Sequence, residues 1–180
     1  MVSKNLLLQM LAKTVIFKMP ESITLSSGKQ SNYYIDMRLA TTNPRIAPLL
    51  VDMLKDKIGN DAASVGGPEL GIIPILGGLA AKGYFPTFII RKRRKQYGLK
   101  RLVEGNVDPS KVVIVDDVAT TGKSLLEAIV TFKKEYPVAN IAKVIALIDR
   151  EEGAKELLEE HGYRLDCLFT AKELLAIGEN

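Results

Sequence analysis

The chain has 180 residues, of which 47% are hydrophobic, enough for one globular domain with a buried core. Its formal net charge is +4, but seven basic residues lie within residues 91–101, so the rest of the chain is slightly acidic. The single cysteine, Cys167, cannot form an internal disulfide, and no apolar run approaches the roughly 18 residues that span a bilayer. These features exclude a disulfide-stapled scaffold and a helical membrane protein, and they predict a soluble, cytoplasmic protein.

The N-terminal part of the chain combines helical and extended patterns. Apolar residues recur at helical spacing from Leu7 to Val15 and predict an amphipathic helix over residues 3–18. The segment "LSSGKQSNYYID" then predicts a polar turn between two short extended pieces. In "TNPRIAPLLVDMLKDKIG", a helix is predicted with Asn43 as its N-cap, Pro44 as its first residue and Gly59 at its end.

From residue 62 onward, predicted strands and helices alternate. The predicted strands are a short one near Ala62–Val65 and the segments "PTFIIR", "KVVIVDD", "IAKVIALIDR" and "RLDCLFT". The predicted helices are a small-residue segment ending near Lys82, then "TTGKSLLEAIVTFKKEY", "GAKELLEEHG" and a last short helix capped by Thr170 and Glu173.

This alternation predicts an α/β fold with a doubly wound, mainly parallel sheet flanked by helices. Near-continuous apolar strands such as Val112–Val115 indicate that both faces of the sheet are covered. We expect a single domain over residues 1–180. Residues 1–38 do not follow the alternation, so we expect them to form a small hood beside the sheet.

The segment "VVIVDDVATTGKSLLEAI" carries the strongest functional pattern, because an apolar strand, two acids, a small-residue loop and a helix follow in order. Ligands of open α/β sheets bind beyond the carboxyl ends of the strands, and a helix N-terminus there attracts anions. We expect the strand to end at Asp116 and Asp117 and the helix to begin near Thr121. The loop thus predicts an anion cradle with two carboxylates beside it, which suits a sugar phosphate.

This loop has two alternative interpretations. Its Gly-Lys-Ser ending is shared with ATP-binding P-loops, but the P-loop spacing requires a glycine where this chain has Asp117. A carboxylate there would oppose a nucleotide phosphate, so the P-loop interpretation fails. The other alternative is a helix that follows a buried strand, with an incidental acid pair and no ligand.

The same segment resembles the phosphoribosyl-pyrophosphate signature of type I phosphoribosyltransferases. Further segments, in family order over about residues 20–155, resemble the orotate phosphoribosyltransferase family: the hood motif "LSSGKQSNYYIDMR", the glycine-rich turn "GGPELGIIPILGGLAAKG", the basic loop "RKRRKQYG" and the segment "ALIDREEGAKELLEEHG". The resemblance implies the type I phosphoribosyltransferase fold. It also implies transfer of a phosphoribosyl group from phosphoribosyl pyrophosphate to orotate, giving orotidine 5′-monophosphate and pyrophosphate in pyrimidine biosynthesis.

The resemblance also implies roles for particular residues. Lys95, Asp116 and Asp117 fall at catalytic positions, and Tyr34, Thr120 and Arg150 fall where orotate is bound, with Ile35 beside Tyr34 over the pyrimidine ring. The positions implied to bind phosphoribosyl pyrophosphate are Arg91, Lys92, Lys95, Asp116, Asp117, Val118, Ala119, Thr120, Thr121, Gly122, Lys123 and Ser124. The implied cofactor is Mg²⁺, held mainly through the substrate and not by a dedicated set of protein ligands. The implied assembly is a homodimer in which loop 91–104 is shared across subunits, with no nucleic acid and no membrane as partner.

Three positions depart from the family pattern. Tyr97 replaces a histidine of the basic loop, Ser26 replaces a hood lysine, and Gly71 replaces a lysine of the glycine-rich turn. Phosphoribosyl transfer does not depend on one general base, so activity is expected despite these changes. They do leave substrate affinity and base identity open.

Three rival functions therefore stand beside the orotate enzyme. A purine-base phosphoribosyltransferase could use the same scaffold, although Arg150 would then have no carboxylate to pair with. A non-catalytic regulator could sense phosphoribosyl pyrophosphate through the same site. A basic segment such as residues 91–101 is also common at nucleic-acid surfaces, but no aromatic-interleaved basic sheet or helix-turn-helix supports that here.

Overall fold

The computed structural model describes residues 3–24, 28, 30–60, 62–94 and 101–178. Its helices are α1 Lys4–Val15, α2 Arg38–Thr41, α3 Ala47–Ile58, α4 Ile73–Ala81, α5 Lys123–Glu135, α6 Ala154–Glu160 and α7 Ala171–Gly178. Its strands are β1 Ile16–Thr24, β2 Gln30–Ile35, β3 Ser64–Pro68, β4 Thr87–Ile90, β5 Val103–Gly105, β6 Val112–Ala119, β7 Ile141–Asp149 and β8 Leu165–Thr170. Within these described ranges, no helix is both long and apolar enough to cross a membrane.

A six-stranded sheet with the order β5-β4-β3-β6-β7-β8 forms the centre of the molecule. Its strands are parallel except for β5, which pairs antiparallel with β4 along the edge. The predicted α/β fold with a mainly parallel sheet is therefore confirmed. The edge strand itself was not predicted, because two of its three residues lie inside the predicted loop 91–104 and three residues are too few to show a period.

The central strand β6 explains why an unbroken apolar run predicted a doubly covered sheet. Val113 and Val115 are buried in the core cluster that contains residues of α1, α3 and α4, whereas Val112 and Ile114 are buried in the cluster that contains residues of α5 and α6. Successive side chains of a strand point to opposite faces, so each face of β6 needs its own apolar residues.

Two predicted helix boundaries were wrong. The helix predicted over residues 3–18 ends at Val15, because Ile16 already pairs with Ile35 in the two-stranded antiparallel sheet of β1 and β2. The helix predicted to start at Pro44 starts at Ala47, with its N-terminal proline at Pro48. Asn43 forms a local turn instead of the N-cap, since its side-chain oxygen accepts a hydrogen bond from the Arg45 amide at 2.9 Å.

Strands β1 and β2, called the hood strands below, form a sheet separate from the central one. Helix α1, by contrast, buries Leu7, Leu11 and Val15 in the same cluster as α3 and α4. At the other end of the chain, the predicted capping box of α7 is confirmed. The Thr170 amide donates to Glu173 at 2.8 Å, and the Glu173 amide donates to the Thr170 hydroxyl at 3.2 Å.

Candidate active site

Strands β3 and β6 are neighbours in the sheet, but the chain leaves them in opposite directions, β3 toward β4 and β6 toward β7. Such a reversal of strand order opens a crevice at the carboxyl ends of the strands. A cavity of about 670 Å³ lies there, lined by the hood strands, the turn after β3, the end of β6 and Arg150. A second cavity of about 360 Å³ adjoins it and is lined by the loop between β6 and α5.

Asp116 and Asp117 lie on β6 and both line the larger cavity. Strand β6 continues past them to Ala119, which pairs with Asp149 of β7, so the prediction that it ends at the two acids was wrong. Val118 is also part of this ladder, opposite Ile148. Asp116 is 7% exposed, and its side chain accepts a hydrogen bond from the Asp117 amide at 2.9 Å.

Burial raises the pKa of the Asp116 carboxyl well above its ordinary value, and the neighbouring Asp117 carboxylate raises it further. The Lys92 ammonium opposes this shift. The site therefore holds two carboxyl groups beside each other in a poorly hydrated place, where they are able to accept hydrogen bonds from hydroxyl groups.

The predicted anion cradle surrounds the smaller cavity, which is lined by Asp116 and by Val118, Ala119, Thr120, Thr121, Gly122, Lys123 and Ser124. Helix α5 begins at Lys123 and not near Thr121 as predicted. The chain turns into the helix through Gly122, whose φ is +79°, a left-handed conformation that favours glycine. The helix N-terminus and the hydroxyls of the loop therefore border one pocket, as an anion site requires.

The Gly122→Ala variant is expected to lose about 1–2 kcal/mol of stability because of its left-handed backbone. The added Cβ would also lie 3.0 Å from the Cα atom of Ala154, so the loop would have to shift. Urea unfolding measures the first effect, and the affinity of the loop for inorganic phosphate, which should fall if the loop binds anions, measures the second. The matched control is Gly77→Ala, an exposed helix position with open space around it, which should be neutral or stabilising. Equal results for the two variants would contradict this account of the loop.

Gly71 lies directly against Asp117. A Cβ atom added at residue 71 would overlap the Oδ2 atom of the Asp117 carboxylate. In this chain, therefore, the Asp117 carboxylate occupies the space that any side chain at residue 71 would need. The departure from the family pattern at Gly71 therefore affects the site, because a residue with a side chain there would require the Asp117 carboxylate to move.

The first two residues of the basic segment after β4 both lie near the site, but only Lys92 lines its two cavities. Lys92 lines both cavities, and its amide donates to Glu69 at 3.0 Å. Arg91 instead pairs with Glu69 at 3.5 Å and Glu104 at 3.6 Å and lines a neighbouring cavity of about 480 Å³. Residues 95–100, including Lys95 and Tyr97, lie outside the described residues, as does Ser26, so the expectations for them remain predictions.

The residues predicted to bind the base lie around the larger cavity. Tyr34, Thr120 and Arg150 line it, together with Ile35. Tyr34 is 38% exposed, whereas Tyr33 packs against the core, as expected for adjacent strand residues that point in opposite directions. Arg150 follows β7, and its side chain is only 3% exposed.

Sequence reasoning assigned no roles to three charged residues that line the larger cavity, namely Asp36, Arg38 and Glu69. Asp36 accepts two hydrogen bonds from the Arg38 guanidinium, at 2.8 and 3.0 Å, and these bonds lower the pKa of its carboxyl. Glu69 holds the Lys92 amide. All three residues fall inside the hood motif or the glycine-rich turn, so their position in these motifs was the feature of the sequence that indicated a place in the site.

Comparisons with known proteins agree with this geometry. Residues 43–168 match the Phosphoribosyl transferase domain family. Orotate phosphoribosyltransferase of Methanopyrus kandleri is 40% identical over 173 residues, 96% of this chain and 92% of that protein. The enzyme of that name from Methanocaldococcus jannaschii is 40% identical over 175 residues, 97% of this chain and 98% of that protein.

Solved structures show the same relationship. The crystal structure of orotate phosphoribosyltransferase from Aeropyrum pernix has a TM-score of 0.78 and 34% identity, covering 94% of this chain and 96% of that one. Adenine phosphoribosyltransferase of Leishmania donovani, at 16% identity and a TM-score of 0.66, covers 93% of this chain and 80% of that one and shows only the shared fold.

A doubly wound sheet with an acid pair and a hydroxyl-rich loop before a helix at its switch point, together with the domain match, defines a type I phosphoribosyltransferase. Within that class, the chain belongs to the orotate phosphoribosyltransferase family, as its relatives over nearly the whole length show. The predicted fold, class and family are confirmed.

Proposed function

We propose that this chain transfers the 5-phosphoribosyl group from phosphoribosyl pyrophosphate to orotate, giving orotidine 5′-monophosphate and pyrophosphate in pyrimidine biosynthesis. Family membership supports the reaction. The observation that carries the choice of base is Arg150, an arginine that lines the same cavity as the acid pair. A guanidinium fork matches the carboxylate of orotate, which a purine base lacks.

The phosphoribosyl group is assigned to the end of β6 and the loop after it. Asp116 and Asp117 accept hydrogen bonds from the ribose hydroxyls, and the loop from Val118 to Ser124 holds the 5′-phosphate. The two cavities support this division because they share Asp116, Val118, Thr120 and Ser124, so one ligand can extend from one into the other.

The reaction breaks the bond between C1 of the ribose and pyrophosphate, and the bonding electron pair leaves with pyrophosphate. A ring nitrogen of the base then supplies the electron pair of the new bond to C1 and loses its proton, which leaves with pyrophosphate or to solvent. Because positive charge develops on the sugar and negative charge on the leaving group, stabilisation of charge and correct positioning dominate catalysis. We assign Lys92 and, from the sequence, Lys95 to the binding of the pyrophosphate leaving group. Arg91 contributes as well when pyrophosphate displaces Glu69 and Glu104 from its guanidinium.

Magnesium fits this site as a companion of the substrate. The carboxylates of Asp116 and Asp117 are hard oxygen donors of the kind that Mg²⁺ accepts. Within the described residues, however, no group of three or more His, Cys, Asp or Glu side chains is placed to hold a metal. We therefore propose that Mg²⁺ is held mainly by oxygens of phosphoribosyl pyrophosphate, where it would neutralise charge on the leaving group.

The base is assigned to the part of the cavity between the hood strands and Arg150. Tyr34 covers the pyrimidine ring, with Ile35 beside it at the border of the cavity, while Thr120 and Arg150 contact the polar edge of the ring. We further propose a single domain over residues 1–180 with residues 1–38 contributing the hood, and a cytoplasmic homodimer that shares the basic loop. The proposed shared loop keeps the bounds 91–104, and its last two residues are the first two of strand β5.

A spectrophotometric assay of orotate consumption with phosphoribosyl pyrophosphate and Mg²⁺ tests the reaction. We expect orotate to be consumed and hypoxanthine, xanthine and adenine neither to replace it nor to compete strongly. Turnover of a purine base without turnover of orotate would instead establish the purine enzyme. Binding of phosphoribosyl pyrophosphate without turnover of any base would favour the sensing regulator.

A further inference from the structure

The guanidinium of Arg150 is contacted on three sides by other side chains. Its Nε atom donates to Glu152 at 2.7 Å, and one terminal nitrogen donates to the Ser31 hydroxyl at 3.1 Å. Its Cζ atom lies 4.4 Å from the centre of the Tyr33 ring, within the range of a cation–π contact. These contacts define both the plane of the guanidinium and its rotation within that plane.

Ser31 is the neutral member of this set, and its hydroxyl is fully used. It donates to the Tyr33 carbonyl at 2.7 Å and accepts from the Tyr33 amide at 3.2 Å as well as from Arg150. A serine hydroxyl has one proton and two lone pairs, so these three bonds leave it no alternative orientation. Ser31 is also 9% exposed, which strengthens the bond relative to one in water.

The backbone around Arg150 holds the other side of this arrangement. The Arg150 amide donates to the carbonyl of Ala119, the last residue of β6, at 2.9 Å. Glu151 then has a left-handed φ of 58°, and its amide donates to the Asp149 carboxylate at 2.9 Å. This sharp turn brings Glu152 back to the Arg150 side chain two residues earlier.

We propose that Ser31 is a positioning residue for base recognition, acting through Arg150. It joins hood strand β2 to a side chain 119 positions away in sequence, beside the strand that carries the acid pair. A fork that binds a carboxylate with two hydrogen bonds depends on the orientation of its plane. This inference rests on the proposed function, in which Arg150 binds the carboxylate of orotate.

Binding of two nucleotides to the intact protein provides the test. Orotidine 5′-monophosphate carries the carboxylate and uridine 5′-monophosphate does not, so their affinities separate the carboxylate contact from all other contacts. By calorimetry, Ser31→Ala should lower the affinity for orotidine 5′-monophosphate about 10-fold, the effect of one lost hydrogen bond to a charged group. The variant should change the affinity for uridine 5′-monophosphate less than about 2-fold, because this nucleotide has no carboxylate for Arg150 to bind.

Two further variants serve as controls for Ser31→Ala. Ser31→Thr keeps the hydroxyl and should restore most of the affinity for orotidine 5′-monophosphate. Ser22→Ala lies on the other hood strand, where its hydroxyl donates to Gln30 at 3.1 Å in an exposed place, and it should change neither affinity. Glu152 is a less suitable test, because its removal also removes a negative charge that opposes the binding of a carboxylate.

The Arg150→Ala variant separates the two claims. If it removes the preference for orotidine 5′-monophosphate while Ser31→Ala leaves that preference unchanged, Ser31 has no positioning role and the proposed function stands. If Ser31→Ala weakens both nucleotides equally, its role is structural and the inference is wrong. If Arg150→Ala leaves the preference intact, the assignment of the base in the proposed function fails.

Discussion

Replacing Asp116 by asparagine should slow phosphoribosyl transfer by about 100-fold, the usual cost of removing one charged group from a preorganised site, while raising the temperature of unfolding. Activity falls because the amide presents one acceptor oxygen and no charge to the ribose hydroxyls. Stability rises because the wild-type chain buries a carboxyl beside Asp117, where ionisation is unfavourable. The asparagine oxygen is still able to accept the hydrogen bond that the Asp117 amide donates at 2.9 Å.

The pH dependence of stability should distinguish the two proteins. Burial raises the pKa of the Asp116 carboxyl in the folded protein above its ordinary value of 3.8. At a pH between the ordinary pKa and the raised pKa, the folded protein therefore keeps a proton that the unfolded chain releases. The stabilising contribution of that proton is complete below pH 3.8 and is lost as the pH rises through the raised pKa. Thermal unfolding as a function of pH should therefore show the variant gaining on the wild type as pH increases.

Asp56→Asn is the matched control for this comparison. Asp56 is exposed on α3 and pairs with Lys55 at 3.2 Å, and it does not line the candidate active site. Its replacement should leave turnover unchanged and alter stability only slightly. Wild-type turnover in Asp116→Asn would contradict the ribose assignment, and a lower unfolding temperature would contradict the proposed cost of the buried acid.

Replacing Lys95 by alanine should lower turnover by about 100- to 1000-fold with little effect on stability, because a cation assigned to the leaving group is lost. This prediction depends on the sequence, together with the described approach of Lys92 to both cavities. Steady-state kinetics and thermal unfolding measure the two effects. Lys172→Ala removes an equal charge from an exposed position of α7 and should change neither.

Mixing inactive variants tests whether the basic loop acts across a dimer. Lys95→Ala and Asp117→Asn should each be nearly inactive alone. After exchange of subunits at equal concentrations, a symmetric dimer with shared loops should regain about a quarter of wild-type activity, since half of the dimers are mixed and each has one intact site. No recovery in a mixture that demonstrably contains mixed dimers would show that each chain supplies its own loop.

Local patterns predicted the elements that are long and regular. The apolar run of β6, the alternation of strands and helices, and the capping box of Thr170 and Glu173 each involve neighbours in sequence, so their residues are sufficient to indicate the structure. Boundaries were less well predicted. Helix α3 begins at Ala47 and not at Pro44, because the turn made by Asn43 competes with helix capping and both use the same residue types.

The sequence by itself determined the α/β class, the family and the order of the acid pair, the cradle and Arg150 along the chain. The tertiary structure alone decided that Asp116 is buried enough to raise its pKa, that Gly71 leaves space for the Asp117 carboxylate, and that Ser31 contacts Arg150. Each of these facts depends on a contact or a desolvation created when distant segments pack together. The spacing of apolar residues shows which face of a helix or strand must be buried. It does not show which distant segment covers that face, and the contacts of Asp116, Gly71 and Ser31 depend on that segment.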